Sequence, residues 1–250
     1  MAALGLSSVP ALISHLDAHR EDSTLGLAYA NITDEGCVEV GKHVRDSPFV
    51  KYLDLRGNNI QAPGIKALTS GIKLNRSMKT LNLKWNCVGK DPSGVDALCA
   101  VLKSNLSIQN VDLRNNRINA VGAKSLAEML KENVTITHLD LSWNDLGVEG
   151  GVALLEGLRH NAALVDCQLS GSKVGEEILH EVAFLVRRNR AAAAYRASAG
   201  GQAQEDPANA MAASGRPASR GLRAEGAAGA DALPATRGRR PGAQWTAKDS

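Results

Sequence analysis

The stretch Val50-Lys51-Tyr52-Leu53-Asp54-Leu55-Arg56-Gly57-Asn58-Asn59-Ile60 decides the fold, because it returns. The same frame reappears at Met78 to Val88, Ile108 to Ile118 and Ile136 to Leu146, with apolar residues in slots one, four, six and eleven. Asparagine holds slot nine each time, at Asn58, Asn86, Asn116 and Asn144, in steps of 28, 30 and 28. A copy at Leu164 to Val174 substitutes Ser172, and an earlier one keeps Leu25, Leu27 and Ile32 but has Asp22 and Ala30 in the other slots. Six units at one period mark a repeat architecture.

The second half of each unit is equally regular. Gly64, Gly94, Gly122 and Gly150 align, followed four residues later by Leu68, Leu98, Leu126 and Leu154, and four later again by Ile72, Leu102, Leu130 and Leu158. That spacing is one face of an α-helix, whereas the alternation at Leu53 and Leu55 is one face of a short strand. Neither half can bury its apolar side alone, so neighbouring units must stack. One period before Val40 and Val44 stand Leu12 and Leu16, which predicts an N-terminal capping helix within residues 1–21. The six units then fill residues 22–190. The slot-nine amide carries both a donor and an acceptor for backbone groups left over where the chain turns from the strand. The aligned glycines admit a close helix approach, with a turn of positive φ as the alternative.

The pattern resembles the leucine-rich repeat LxxLxLxxNxL, and the 28-residue unit resembles the ribonuclease-inhibitor-like subfamily. The resemblance implies an α/β solenoid, a horseshoe with parallel strands on its concave face and helices on its convex face. The third unit is two residues longer, in Val88-Gly-Lys-Asp-Pro-Ser93. Its glycine and proline place the insertion in the strand-to-helix loop.

Composition excludes several classes. The 250 residues are 44% hydrophobic but 3% aromatic, so the core is aliphatic. The net charge of +3 comes from the tail: residues 1–190 hold 21 basic and 21 acidic side chains, residues 191–250 hold 8 and 5. No apolar run approaches the length of roughly 18 residues that a membrane-spanning helix needs. Met1 to Pro10 lacks the basic and apolar regions of a secretory signal. Cys37, Cys87, Cys99 and Cys167 form no CxxC pair and read as reduced thiols of a cytoplasmic or nuclear protein. Residues 191–250 contain 20 alanines, 8 glycines and 4 prolines. Beyond an extra helical turn at Ala191 to Ala194 they read as a disordered Ala/Gly/Arg-rich tail.

Catalytic chemistry is not visible. There is no HExxH, GxSxG or GxxxxGK, and the His15/His19 pair lacks a third metal ligand, so no cofactor, metal site or catalytic residue is expected. Asn-x-Ser/Thr triplets at Asn75, Asn105 and Asn133 share a recurring slot with Asn161 and Asn189. They read as structural helix-end residues in a left-handed conformation rather than glycan acceptors.

A protein-binding surface remains. Alternation with the buried leucines turns Tyr52, Asp54 and Arg56 outward, with counterparts Asn82 and Lys84, then Asp112 and Arg114, then His138 and Asp140. Trp85 and Trp143 occupy slot eight, where companion units carry Gly57 and Asn115, giving a two-repeat super-period and two interface anchors. The run Leu53 to Ile60, Lys84-Trp85-Asn86 and Leu139 to Asn144 followed by Gly150-Gly151 resembles the repeat portion of a centrosome-linker family, without its coiled coil. That resemblance implies a non-enzymatic scaffold in the cytoplasm, at the centrosome or ciliary base. The expected partner is a protein, not nucleic acid or membrane, and the chain is expected to be monomeric. The alternative is a GTPase-activating regulator resembling Ran GTPase-activating proteins.

Overall fold

The computed structural model describes residue 6 and residues 8–202. Six three-residue strands alternate with seven helices: α1 (Val9–Ala18), β1 (Thr24–Gly26), α2 (Gly36–Asp46), β2 (Tyr52–Asp54), α3 (Ala62–Ile72), β3 (Thr80–Asn82) and α4 (Pro92–Leu102). Then follow β4 (Asn110–Asp112), α5 (Ala120–Glu132), β5 (His138–Asp140), α6 (Gly147–His160), β6 (Asp166–Gln168) and α7 (Glu176–Gln202). All strands are parallel and run in sequence order, β1 to β6. The pairing places slot four in one column: Leu25, Leu53, Leu81, Val111, Leu139 and Cys167.

The core lies between sheet and helices, as the two periodicities require. Leu53 and Leu55 and their counterparts through β5 are buried, with Cys167 of β6 partly so, and from the helices come Val40 and Val44, Leu68 and Ile72, Leu98 and Leu102, Leu126 and Leu130, and Leu154 and Leu158. Val182 and Val186 extend that stripe on α7, and α1 buries Leu12 and Leu16 while packing on α2. The aligned glycines serve close approach: a Cβ at Gly94 would stand 2.5 Å from the Val88 carbonyl oxygen and 3.1 Å from Ala62 Cα.

The slot-nine asparagines form a ladder between units. Asn58 Nδ2 donates to Leu27 O (2.8 Å) and Leu55 O (2.9 Å), while Ile32 N–H donates to its Oδ1 (2.9 Å). Asn86, Asn116 and Asn144 repeat the arrangement, and Ser172 Oγ donates to Leu141 O at 2.7 Å. Each asparagine side chain satisfies backbone groups of its own unit and of the one before, which is why it is buried.

The helix-end asparagines form a second ladder, by a mechanism other than the expected left-handed cap. Asn133 and Asn161 are extended, with φ −76° and −94°. Their amides reach back one unit: Asn133 Nδ2 donates to Leu102 O (2.6 Å), and Asn161 Nδ2 to Leu130 O (2.8 Å) and Asn133 O (2.9 Å). The backbone N–H groups two and three residues on donate to Oδ1, as Thr135 and Ile136 do to Asn133. Asn75, Asn105 and Asn189 also donate to backbone carbonyls of the preceding unit, and Ser47 takes the slot ahead of them, accepting from Phe49 and Val50.

The two extra residues of the third unit lie in the strand-to-helix loop, as the sequence predicts, and end in a capped helix entry: the Asp91 side chain accepts from Ser93 N–H at 2.9 Å, with Pro92 opening α4. Both residues suit those positions, the carboxylate as a cap and proline because its ring fixes a helical φ. Helix α7 continues past Ala194 to Gln202, so residues 195–202 are helical where disorder was expected. Alanine and arginine are strong helix formers. Arg190 and Arg196 also donate to the carbonyls of Val165 (2.9 Å) and Ala162 (3.5 Å). The rest of the expected tail, 203–250, lies outside the described residues.

Candidate functional site

The sheet face is organised by the residue that ends each strand. Asp54, Asn82, Asp112 and Asp140 each accept, through Oδ1, the backbone N–H two residues on, at 2.9–3.2 Å. This local loop is the Asx arrangement, and it folds the polar group against its own backbone. Asp54, at 8% exposure, and Asn82 are consequently buried, correcting the expectation that they face solvent. Tyr52 is half-buried, and its hydroxyl accepts from Asn82 Nδ2 at 3.2 Å.

The basic residues two positions later are drawn onto the same carboxylates. Arg114 Nε lies 3.0 Å from both Asp112 oxygens and 3.2 Å from Asp140 Oδ2. Arg56 Nε is 3.4 Å from Asp54 Oδ2. Lys84 turns elsewhere: its ammonium sits 4.3 Å from the centroid of the Trp85 ring. That is a cation–π contact. His138 is exposed, its Nδ1 2.8 Å from Thr137 Oγ1.

Slot eight carries the aromatic groups, and its backbone explains their spacing. Tyr29, Gly57, Trp85, Asn115, Trp143 and Gly171 all have φ between 52° and 70°. This left-handed region suits glycine and asparagine and strains a bulky residue. Tyr29 lies over Gly57 and Trp143 over Gly171, where a Cβ would meet the ring at 2.4 and 2.8 Å respectively. An aromatic ring therefore requires a glycine in the next unit at these two steps. Tyr29 also meets Trp85 across the intervening unit, with ring centroids 6.0 Å apart, and Arg56 Cζ stands 6.0 Å from the Tyr29 centroid. The tilted pairing of the two rings is a favourable aromatic geometry. Trp85 is 45% exposed and Trp143 68%.

The structure thus brings Arg56 and Trp85 against Tyr29, sets Lys84 against Trp85, and places Arg114 between Asp112 and Asp140. Tyr29 is the residue that sequence reasoning missed. Its unit is degenerate, but the column of two glycines and an asparagine in slot eight carried the signal.

The thiols are placed for packing. Burial pushes the thiol pKa of Cys37, Cys99 and Cys167 up to about 12, with Asp34, Asp96 and Asp166 respectively adding to the effect. A thiolate is disfavoured both by loss of water and by a neighbouring negative charge. Cys87 donates to Asn59 Oδ1 at 3.2 Å. Among the described residues no three His, Cys, Asp or Glu side chains gather as a metal site, and no helix is long and apolar enough to cross a membrane.

Fold and ladders together define a leucine-rich-repeat solenoid, whose 28-residue strand-and-helix unit is similar to that of ribonuclease-inhibitor-like proteins. The family model described as Leucine Rich repeat matches residues 46–68, 74–99, 104–127 and 132–155. The chain is 35% identical over 121 residues to chicken (Gallus gallus) leucine-rich repeat-containing protein 45, covering 48% of this chain and 18% of that protein. It is 30% identical over 98 residues to mouse (Mus musculus) ribonuclease inhibitor, covering 39% and 21%. The matches therefore span less than a quarter of either relative. Among solved structures, Leiomodin-1 Actin-Binding Site 2 (ABS2) aligns with a TM-score of 0.49 at 14% identity, over 82% of this chain and 100% of that one.

Proposed function

We propose that the chain is a non-enzymatic scaffold that docks a protein partner on the concave, strand-lined side of its repeats. The observation that carries this reading is the exposure of Trp143, 68% free while its indole rests on Gly171. A tryptophan held rigidly at the surface in a left-handed backbone conformation contributes little to the core and is suited to anchoring an interface. Trp85, flanked by Lys84 and Tyr29, supplies a second anchor. The resemblance of the repeats to a centrosome-linker family supports a cytoplasmic site of action at the centrosome or ciliary base.

The test is proximity labelling in cells followed by binding measurements with the protein recovered. Trp85→Ala and Trp143→Ala should each weaken binding by about 2 kcal/mol or more. Lys124→Glu and Glu128→Lys, on the exposed helix surface, should leave it unchanged. Loss of binding in the helix variants with retention in both tryptophan variants refutes the reading. Multiple-turnover GTP hydrolysis by Ran, accelerated by this chain, would establish the GTPase regulator instead.

A further inference from the structure

The strand-to-helix turns of the third to sixth units enclose an open groove of about 590 Å³ beside Trp143. Its charged lining is Lys90, Arg117 and Lys173 against the single carboxylate of Asp145, three cations to one anion. Asp145 is occupied by Lys173, at 2.8 Å. Among the described residues Lys90 bonds only to the neutral Gln61 amide (3.2 Å), and the Arg117 guanidinium has no hydrogen-bond or ion-pair partner. Arg117 also has φ of 59°, and it is exposed on the rim of the groove. That left-handed setting is a strained one for a long side chain.

The same rim has the opposite sign at its other end. The groove at the first two turns contains Asp34 and Glu35 and no cation. An acidic segment lying along the turns is thus attracted at the end that holds Lys90 and Arg117 and repelled by like charge at the other.

We propose that the groove between Lys90, Arg117 and Trp143 is the docking site for an acidic segment of the protein partner, with one apolar side chain seated against the Trp143 indole. The two cations without carboxylate partners supply the charge complementarity, and the exposed ring supplies the apolar contact. This rests on the scaffold reading and moves the centre of the interface from the sheet face to the turns.

The experiment pans a random-peptide display library on the full chain and measures affinities of synthetic copies of the peptides recovered. Peptides rich in Asp and Glu around a leucine or aromatic residue are expected. Their affinity should fall about tenfold or more in the double variant Lys90→Glu/Arg117→Glu and in Trp143→Ala, and should fall with added salt. The milder Lys90→Gln/Arg117→Gln pair guards against misfolding and should weaken binding in the same direction. Recovered peptides that are not acidic, or that bind both double variants as tightly as wild type, overturn the groove. If such peptides still depend on Trp85, the scaffold reading stands while the groove falls. Recovery of no peptide above bare support counts against both. Tighter binding of a single-stranded oligonucleotide at the same residues overturns the assignment to a protein segment.

Discussion

Trp143 lies across Gly171 of the following unit so closely that a Cβ on the glycine would stand 2.8 Å from the indole. Tyr29 and Gly57 show the same relationship four units earlier. At these two steps the alternation in slot eight is therefore steric: the ring of one unit leaves no room for a side chain in the next. Trp85 is followed by Asn115, which shares the left-handed backbone but keeps a side chain.

Gly171→Ala should accordingly destabilise the chain by about 1–3 kcal/mol. The cost has two sources, the φ of 70° at this position and the displaced ring. Urea unfolding measures the loss, and a shift in tryptophan emission reports movement of Trp143. An unchanged midpoint and unchanged emission would show that the ring does not rest there.

Asn116→Ala removes one rung of the ladder. The side chain is fully buried, and its amide donates to Leu83 O (2.8 Å) and Arg114 O (3.0 Å). Those carbonyls keep other donors, but the buried Val88 N–H, which donates to Asn116 Oδ1 at 3.3 Å, loses its partner, and this should cost about 1–3 kcal/mol. Gln109 is exposed, and its replacement by alanine is the control. That change should alter stability by less than about 0.5 kcal/mol. Asn119, although exposed, is not neutral: it caps α5 by accepting from Val121 and Gly122. Its replacement by alanine should cost about 1 kcal/mol. Equal urea midpoints for the Asn116 and Gln109 variants would contradict the ladder.

Much of this was legible because strand and helix periodicities sit in one repeating frame. Slots four and six specified the sheet, and the period-four leucines specified the helices. Three things were hidden by competing uses of the same residue type. Asp54 alternates with buried leucines and so reads as exposed, but its short side chain folds back on the Arg56 N–H. Asn133 tolerates a left-handed backbone, yet in an extended one its amide both donates to Leu102 O of the preceding unit and accepts the Thr135 N–H. Alanine-rich residues 191–202 read as low complexity, although they continue helix α7. Alanine also propagates a helix already nucleated against the last unit.

Truncation after Gly175 should expose the preceding unit. α7 buries Val182, Leu185 and Val186, and Asn189 donates to Asn161 O (3.0 Å) and Leu164 O (2.9 Å). The shortened chain should lose cooperative melting and aggregate on size-exclusion chromatography. A monodisperse fragment with the parent melting temperature would contradict this.

Acid should weaken the N-terminal end of the solenoid. Burial holds the His43 imidazole below its ordinary value of 6.5, helped by Arg20 and opposed by Asp17 and Asp46, and Nε2 is buried without a hydrogen-bond partner. The unfolded chain then takes up the proton first, so this stability is present above pH 6.5 and lost as pH falls. His15 shifts the same way, from burial and from His19 beside it. Thermal melts across that range should show a slope that His43→Gln flattens, and an unaltered slope would remove His43 as its source.

The two asparagine ladders also decide where a unit can change length. Asn75 and Asn86, Asn105 and Asn116, and Asn133 and Asn144 are each eleven residues apart, so both ends of every strand half are riveted to the unit before. The span that follows is seventeen residues from Asn58 to Asn75 and from Asn116 to Asn133, but nineteen from Asn86 to Asn105. The extra pair falls where no rung fixes the chain. Insertions grafted after slot eleven should therefore be carried as ornament on the turns, whereas one residue added between the rungs throws every later strand out of step.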